Sequence, residues 1–151
     1  MNERDGILKA IATRPAKRAP MVTRQDAIID PRTALAGDFG RKPGKRQVSV
    51  LSWEKWLAAC ATLGVTPAEV PWTFRRANLL VAGIDLPVVP GRRLAVGSVV
   101  LEITGEADPC QRMEQQFAGL QAALTPDARG GLVATIITGA AVAVGDKVKW
   151  L

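Results

Sequence analysis

Two cysteines and no histidine set the covalent chemistry open to this chain. Without histidine, neither a Ser-His-Asp nor a Cys-His nucleophile can be assembled. Two isolated cysteines cannot supply the four ligands of a structural zinc site. What remains is thiol chemistry, as a nucleophile, a sulfur carrier or a soft metal ligand. The surroundings of each thiol should separate the chemical cysteine from the structural one.

Cys110 lies in GEADPCQRMEQ, residues 105–115. Asp108 suits an N-cap, Pro109 suits the first helical position, and Gln111, three residues after Asp108, can close a capping box. On this reading Cys110 is the second residue of a helix, where backbone N–H groups lack intrahelical partners and the dipole is positive. Both effects favour a thiolate, and Arg112 adds positive charge, while Glu106 and Asp108 oppose it. A plainer reading stays open, in which Cys110 only begins an apolar stripe continued by Met113, Phe117, Leu120 and Leu124, on a helix that Gly119 ends or bends. Cys60 has a different setting. It falls on a stripe with Trp53, Trp56, Leu57 and Leu63, in a helix that Ser52 can start and Gly64 can end. A free cysteine there reads as a small core hydrophobe.

The basic residues gather in expected loops rather than along helix faces. Arg14, Lys17 and Arg18 form one group; Arg41, Lys42, Lys45 and Arg46 a second; Arg75 with Arg76, and Arg92 with Arg93, two more. With a net charge of +6, they predict an anionic partner. Guanidinium forks suit phosphate and other oxyanions. The loop GDFGRKPGKRQ contains Gly44-Lys45, but Phe39 stands where a phosphate-binding loop needs its first glycine and Arg46 where it needs Ser or Thr, so that motif is rejected. Nucleic acid is disfavoured: aromatics make up 5% of the chain, there is no tyrosine, and Trp53 and Trp56 are committed to a helix face.

The elements that must position these residues are short and mostly extended. Residues 6–12, 47–51, 78–83, 93–97, 99–105, 132–138, 141–145 and 147–151 read as strands bounded by Gly, Pro or Asp. Within VVLEITG, Val99, Leu101 and Ile103 share one face and Val100, Glu102 and Thr104 the other. Gly139-Ala140 and Gly145-Asp146 suggest tight turns, so the C-terminal strands are expected to form a meander. Strands this short and numerous close into a barrel, which removes exposed edges. The expectation is one mainly β domain over residues 1–151, a barrel with a few short peripheral helices. A charged N-terminus without a signal-like core, no apolar run of membrane-spanning length and two lone cysteines predict a cytoplasmic protein with no membrane span.

Several pieces, in order, carry a family resemblance: Gly37-Asp38, RQVSVLS, RRANLLVAGIDL, GRRLAVGSVVLEITGEADPC and RGGLVATIITGAAVAVGDKV. Arg76-Ala77-Asn78-Leu79 matches an Arg-x-Asn-Leu motif, and Asp108-Pro109-Cys110 the region of a characteristic cysteine. The chain resembles the MOSC domain, found at the C-terminus of molybdenum cofactor sulfurase and as small stand-alone bacterial proteins. The resemblance implies a MOSC-type β-barrel and a site for the molybdenum–molybdopterin cofactor, an anionic phosphorylated ligand. It implies that Cys110 is the reactive cysteine, carrying sulfur as a persulfide or ligating molybdenum. It further implies that Arg76 and Asn78 contact the cofactor, that Asp108 lies beside it, and that Lys17, Arg41 and Arg46 help hold it. Three functions stay open: a cofactor-binding reductase of N-hydroxylated compounds, a sulfur carrier without bound molybdenum, and a non-catalytic anion-binding module. The implied partners are a cysteine desulfurase, a molybdoenzyme or an electron-transfer protein; pyridoxal phosphate enters by family association only. One departure stands out: Phe39-Gly40 replaces the Arg or His that many relatives carry after Gly-Asp, a contact that Arg41 could take over.

Overall fold

A computed structural model describes residues 4–40 and 43–151. The strands are β1 (Gly6–Thr13), β2 (Val22–Arg24), β3 (Asp26–Asp30), β4 (Ala34–Leu35), β5 (Val48–Ser52), β6 (Leu79–Ala82), β7 (Arg93–Val96), β8 (Val99–Glu106), β9 (Leu132–Thr138), β10 (Ala140–Ala143) and β11 (Lys147–Trp150). The helices are α1 (Trp53–Leu63), α2 (Gln111–Gln116) and α3 (Leu120–Leu124), with a 3-10 turn at Trp72–Arg75.

Seven strands close a barrel in the order β11-β7-β8-β9-β5-β6-β1, because β1 pairs back onto β11 with Gly6 opposite Val148. β2 continues the sheet beyond β1, and β10-β3-β4 make a separate three-stranded sheet. The ladders are antiparallel except β5–β6, which is parallel. A parallel neighbour needs a crossover, and α1 lies in it.

That crossover explains the composition of β5 and β6. Val50 and Leu79 point into the barrel with Leu8, Ile11, Leu101 and Ile103. Their sequence neighbours Leu51 and Leu80 point outward, under Trp56 and Cys60 of α1 and Met113, Leu120 and Leu124 of the following helices. Both strands are therefore covered on both faces: β6 reads as a continuous apolar run, and β5 is buried throughout with only Ser49 and Ser52 polar. β8 keeps the alternation expected of it, with Val99, Leu101 and Ile103 buried and the residues between them half-buried. Trp56 is wholly buried and its indole N–H donates to the Val70 carbonyl at 3.2 Å. Burying each such large apolar side chain stabilises the fold by roughly 1.5–3 kcal/mol.

α1 has the expected ends: Ser52 Oγ accepts from Lys55 N–H at 3.2 Å, and Gly64 adopts the left-handed conformation at φ 70°. The second helical segment differs from the expectation in two ways. It is broken rather than continuous, with Phe117 extended and Gly119 left-handed at φ 89°. A side chain at Gly119 would press within 2.9 Å of Leu63, so glycine lets the chain turn against the end of α1. The Glu114 carboxylate then caps α3, accepting from Gly119 N–H at 2.8 Å and Gln121 N–H at 3.2 Å. The segment also starts later. Cys110 is the N-cap and Gln111 the first helical residue, so Asp108, Pro109 and Gln111 form no capping box. The reason is that β8 reaches further than its apolar pattern. Glu106 still pairs with Leu132, Ala107 N–H donates to Gly131 O at 2.8 Å, and Arg75 holds Ala107 O at 2.9 Å. These bonds keep the backbone off the helical path until Pro109.

The expected C-terminal meander is also replaced. β9 pairs with β8 and β5, β10 leaves the barrel to pair with β3, and β11 returns to pair with β7 and β1. Gly139 lies so close to the Ile29 carbonyl that a Cβ would sit 2.6 Å from it, and there the chain changes sheets. β2, β3 and β4 were not expected from the sequence. β3 has a legible alternation, Ala27 and Ile29 inward, over only five residues; the other two are three and two residues long.

No helix among the described residues is long and apolar enough to cross a membrane.

Candidate functional site

A cleft of about 690 Å³ opens where four loops meet. Arg14 follows β1, Asp38 and Gly40 follow β4, Lys45 and Arg46 precede β5, Arg76 precedes β6, and Cys110, Arg112 and Met113 begin α2; Met21 completes the wall. Among the described residues, five cations, one carboxylate and one thiol therefore share the space. Loops presented by a rigid barrel are where binding groups concentrate.

The carboxylate organises the floor. Asp38 Oδ1 accepts from Arg14 N–H at 2.7 Å, and Oδ2 accepts from Asn78 Nδ2 at 3.2 Å. Asn78 is fully buried. Its Nδ2 also donates to Ala12 O at 3.3 Å, and its Oδ1 accepts from Ser49 N–H at 3.1 Å and Ser49 Oγ at 3.3 Å. Asn78 thus ties β1, β5 and the Asp38 loop together from beneath the cleft.

Arg75 and Arg76, adjacent in sequence, separate completely. Arg75 is buried; its Nε donates to Gly130 O at 2.6 Å and its Nη2 to Ala107 O at 2.9 Å. It braces the strand that delivers Cys110. Gly131, next to that brace and at φ 99°, leaves no room for a side chain against the Val50 carbonyl. Arg76 takes a left-handed backbone at φ 63°, faces the cleft, and donates from Nη2 to Ala19 O at 2.7 Å. Burial works against the Arg76 charge and shifts its pKa down; Arg112 and Arg14 push the same way, while Asp38 and Cys110 push back. Cations held together against their own repulsion form a receptor for an anion.

Cys110 is exposed and Cys60 is buried. Cys110 N–H donates to Met113 Sδ at 3.3 Å, and Cys110 Sγ lies 3.7 Å from the same sulfur. The thioether fixes the thiol at the head of α2 in place of the expected capping box. Burial pushes the Cys60 thiol above the ordinary value of 9.0. Outside the cleft, Glu106 is raised by burial first and then by the charge and hydrogen bond of Asp108, with Lys55 opposing.

Of the residues singled out in the sequence, Arg46, Arg76 and Cys110 line the cleft together. Asn78 lies behind Asp38 rather than on the wall. Lys17 and Asp108 are exposed and do not line the cleft. Arg41 lies outside the described residues. Phe39, at the departure from the family pattern, makes a clamp for Arg14: its N–H donates to Arg14 O at 2.7 Å, its carbonyl accepts from Arg14 Nη2 at 2.8 Å, and its ring faces the guanidinium at 5.7 Å. Arg14, Asp38, Lys45, Arg112, Met21 and Met113 were not chosen as site residues. Arg14 and Lys45 belong to the basic groups that predict an anionic partner, Asp38 to the Gly37-Asp38 pair, and Arg112 stands just after Cys110; nothing in the sequence marks Met21.

The lysine–arginine loop before β5 is itself anchored. Thr104 Oγ1 of β8 donates to Lys45 O, and buried Gln47 donates to Pro31 O at 2.5 Å while its Oε1 accepts from Thr135 Oγ1 and Ile136 N–H, each at 2.8 Å.

Among solved structures, the YuaD protein from Bacillus subtilis matches with a TM-score of 0.76 and 22% identity, over 97% of this chain and 96% of that one. YiiM from Escherichia coli matches at 0.70 and 13%, over 96% and 69%. YiiM from Geobacillus stearothermophilus matches at 0.72 and 11%, over 97% and 75%. At these identities the likeness is one of fold. A comparison with curated protein sequences gives no significant match. The MOSC domain model matches residues 31–149, from the end of β3 to within two residues of the C-terminus. The chain therefore belongs to the MOSC domain family, which is associated with molybdenum-cofactor binding and sulfur chemistry.

Proposed function

We propose that the cleft binds the molybdenum–molybdopterin cofactor and that Cys110 is its protein thiolate. The observation that carries this is the sharing of one cleft of about 690 Å³ by Cys110 and, among the described residues, five cations, Arg14, Lys45, Arg46, Arg76 and Arg112. The donor set fits such a group. Among the described residues no cluster of three or more His, Cys, Asp or Glu can hold a bare metal ion. A metal that arrives with its own sulfur ligands needs only one thiolate from the protein, and Cys110 is a soft donor suited to it. The cations grip the phosphate, with Arg able to hold two oxygens at once. Asn78 serves the site through Asp38, which it orients, and Arg75 serves it by fixing the approach to Cys110. When bound, the cofactor supplies redox chemistry at molybdenum; in reductase-type relatives the substrates are N-hydroxylated compounds.

The test is metal and pterin content of protein purified from cells that make the cofactor. Wild type should carry both. Arg76→Ala should lose most of both, and Cys110→Ser should lose molybdenum. Wild type free of molybdenum and pterin would sink this reading.

A second reading is favoured by the exposure of Cys110. Here Cys110 is a sulfur carrier without bound molybdenum. Its thiolate attacks the outer sulfur of a persulfide on a cysteine desulfurase, and the donor thiolate leaves. The sulfur then passes to a molybdoenzyme. Incubation with a desulfurase and cysteine should add one sulfur atom to the intact mass of wild type and none to Cys110→Ser.

A further inference from the structure

Cys110 and Arg112 face a second opening as well as the large cleft. A pocket of about 430 Å³ is lined by Arg18, Cys110, Gln111, Arg112 and Gln115. Arg18, Gln111 and Gln115 do not line the large cleft. The two spaces therefore meet at the thiol, and each has residues of its own.

The second pocket has a consistent chemistry. Among the described residues its lining holds two guanidinium groups, two neutral amides and a thiol, with no carboxylate and no apolar side chain. The guanidinium groups come from separate elements, Arg18 from the turn after β1 and Arg112 from α2. The backbone of Arg18 is left-handed at φ 61° although it is not glycine. Such a conformation persists where surrounding contacts impose it. Ala19 N–H closes the turn onto Ala16 O at 3.1 Å, and Ala19 O accepts from Arg76 at 2.7 Å. The loop carrying Arg18 is thereby fixed to the cleft wall beside Cys110.

We propose that this pocket admits a small anionic sulfane-sulfur donor and delivers its sulfur to Cys110. The proposal rests on the second reading above, in which Cys110 carries sulfur without bound molybdenum. Arg18 and Arg112 hold the anionic end, and Gln111 and Gln115 offer hydrogen bonds without adding charge. The Cys110 thiol loses its proton to solvent and its thiolate attacks the sulfane sulfur. A new S–S bond forms at Cys110, and the donor's own S–S bond breaks with its electron pair leaving on the departing group. From thiosulfate that group is sulfite; from glutathione persulfide it is the glutathione thiolate. The guanidinium pair stabilises the negative charge of either leaving group. No oxidant or reductant is consumed, since the sulfane sulfur is transferred at its own oxidation level.

The test uses the full chain with thiosulfate in one arm and glutathione persulfide in the other, read by intact mass over time. Wild type should gain one sulfur atom from at least one donor, and Cys110→Ser should gain none from either. Arg18→Gln should slow the transfer about tenfold, the effect of losing one charge-assisted hydrogen bond. It should leave molybdenum and pterin content unchanged and leave alkylation of Cys110 by neutral iodoacetamide unchanged. Arg14→Gln, on the wall of the large cleft alone, should slow the transfer less than Arg18→Gln does. Absence of sulfur gain from both donors overturns the proposal. So does a transfer rate indifferent to Arg18→Gln, or one slowed equally by Arg14→Gln, which would place the donor in the large cleft. Cofactor content is measured separately in the same variants, so failure of sulfur transfer and failure of cofactor binding are distinguishable.

Discussion

Cys60 and Cys110 both belong to helical segments that contribute to one apolar layer, yet only one thiol meets solvent. Cys60 sits in the last turn of an eleven-residue helix, on the stripe that covers Leu51 and Leu80. Cys110 sits at the hinge between a strand and a six-residue helix, where the backbone is still extended. A helix interior offers a side chain its neighbours one turn away. A helix cap offers it the space the chain is leaving. The difference in chemistry follows from position along the element rather than from any difference in the residue.

The largest expected contrast is in reactivity. Iodoacetamide should modify Cys110 at least about 1000-fold faster than Cys60, because Cys60 must wait for local opening. Peptide mapping after timed quenching checks this, and comparable rates would remove the distinction. Next in size is a parallel contrast between neighbouring arginines. Arg75→Ala should cost about 3 kcal/mol, since it strands the Gly130 and Ala107 carbonyls. Arg76→Ala should cost under about 1 kcal/mol, as expected of a partly exposed charged group, while losing most of the cofactor. Urea unfolding of both variants decides it. Smaller again, Cys60→Ser should destabilise by about 1–3 kcal/mol by placing a hydroxyl in the apolar layer, and Cys110→Ser by less than about 0.5 kcal/mol.

The smallest effect is a dependence on alkaline pH. The folded Cys60 thiol titrates above 9.0 because of burial. As pH rises past the unfolded thiol value, the unfolded chain loses its proton first and binds fewer protons than the folded one. Stability therefore falls with rising pH in the window between the two values and is unaffected below it. Thermal melts at about pH 8 and about pH 10 should show a larger drop for wild type than for Cys60→Ala.

Eight strands and α1 were legible because each carries a local signal: alternation, a glycine or proline boundary, or a helical stripe with Ser52 and Gly64 at its ends. β2 and β4 were not legible, since two or three residues carry no period and their existence depends on partners far along the chain. The pairing of β10 with β3 was invisible for the same reason. Local sequence reports a turn at Gly139 but not which sheet the chain turns toward.

The site was legible unevenly. Cys110 and Arg46 stand out by type and position and Arg76 by the family motif, and the cleft gathers them. The capping box at Asp108 was misleading because its residue types are right while the ladder to β9 and the grip of Arg75 hold the backbone extended there. Asn78 matched a motif, but only the structure shows its amide facing Asp38, Ser49 and Ala12. Met113 was expected in an apolar stripe; its sulfur also receives the Cys110 N–H.

The pairing of Gly6 with Val148 has a consequence for how the molecule is made. The contact that shuts the ring joins segments separated by almost the whole chain, and such distant pairings slow folding. Until residues 147–150 arrive, β1 and β7 each present an unpaired edge, open to a neighbouring nascent chain. Recovery from the ribosome and from denaturant should therefore depend on protein concentration far more than the finished, edgeless ring would lead one to expect.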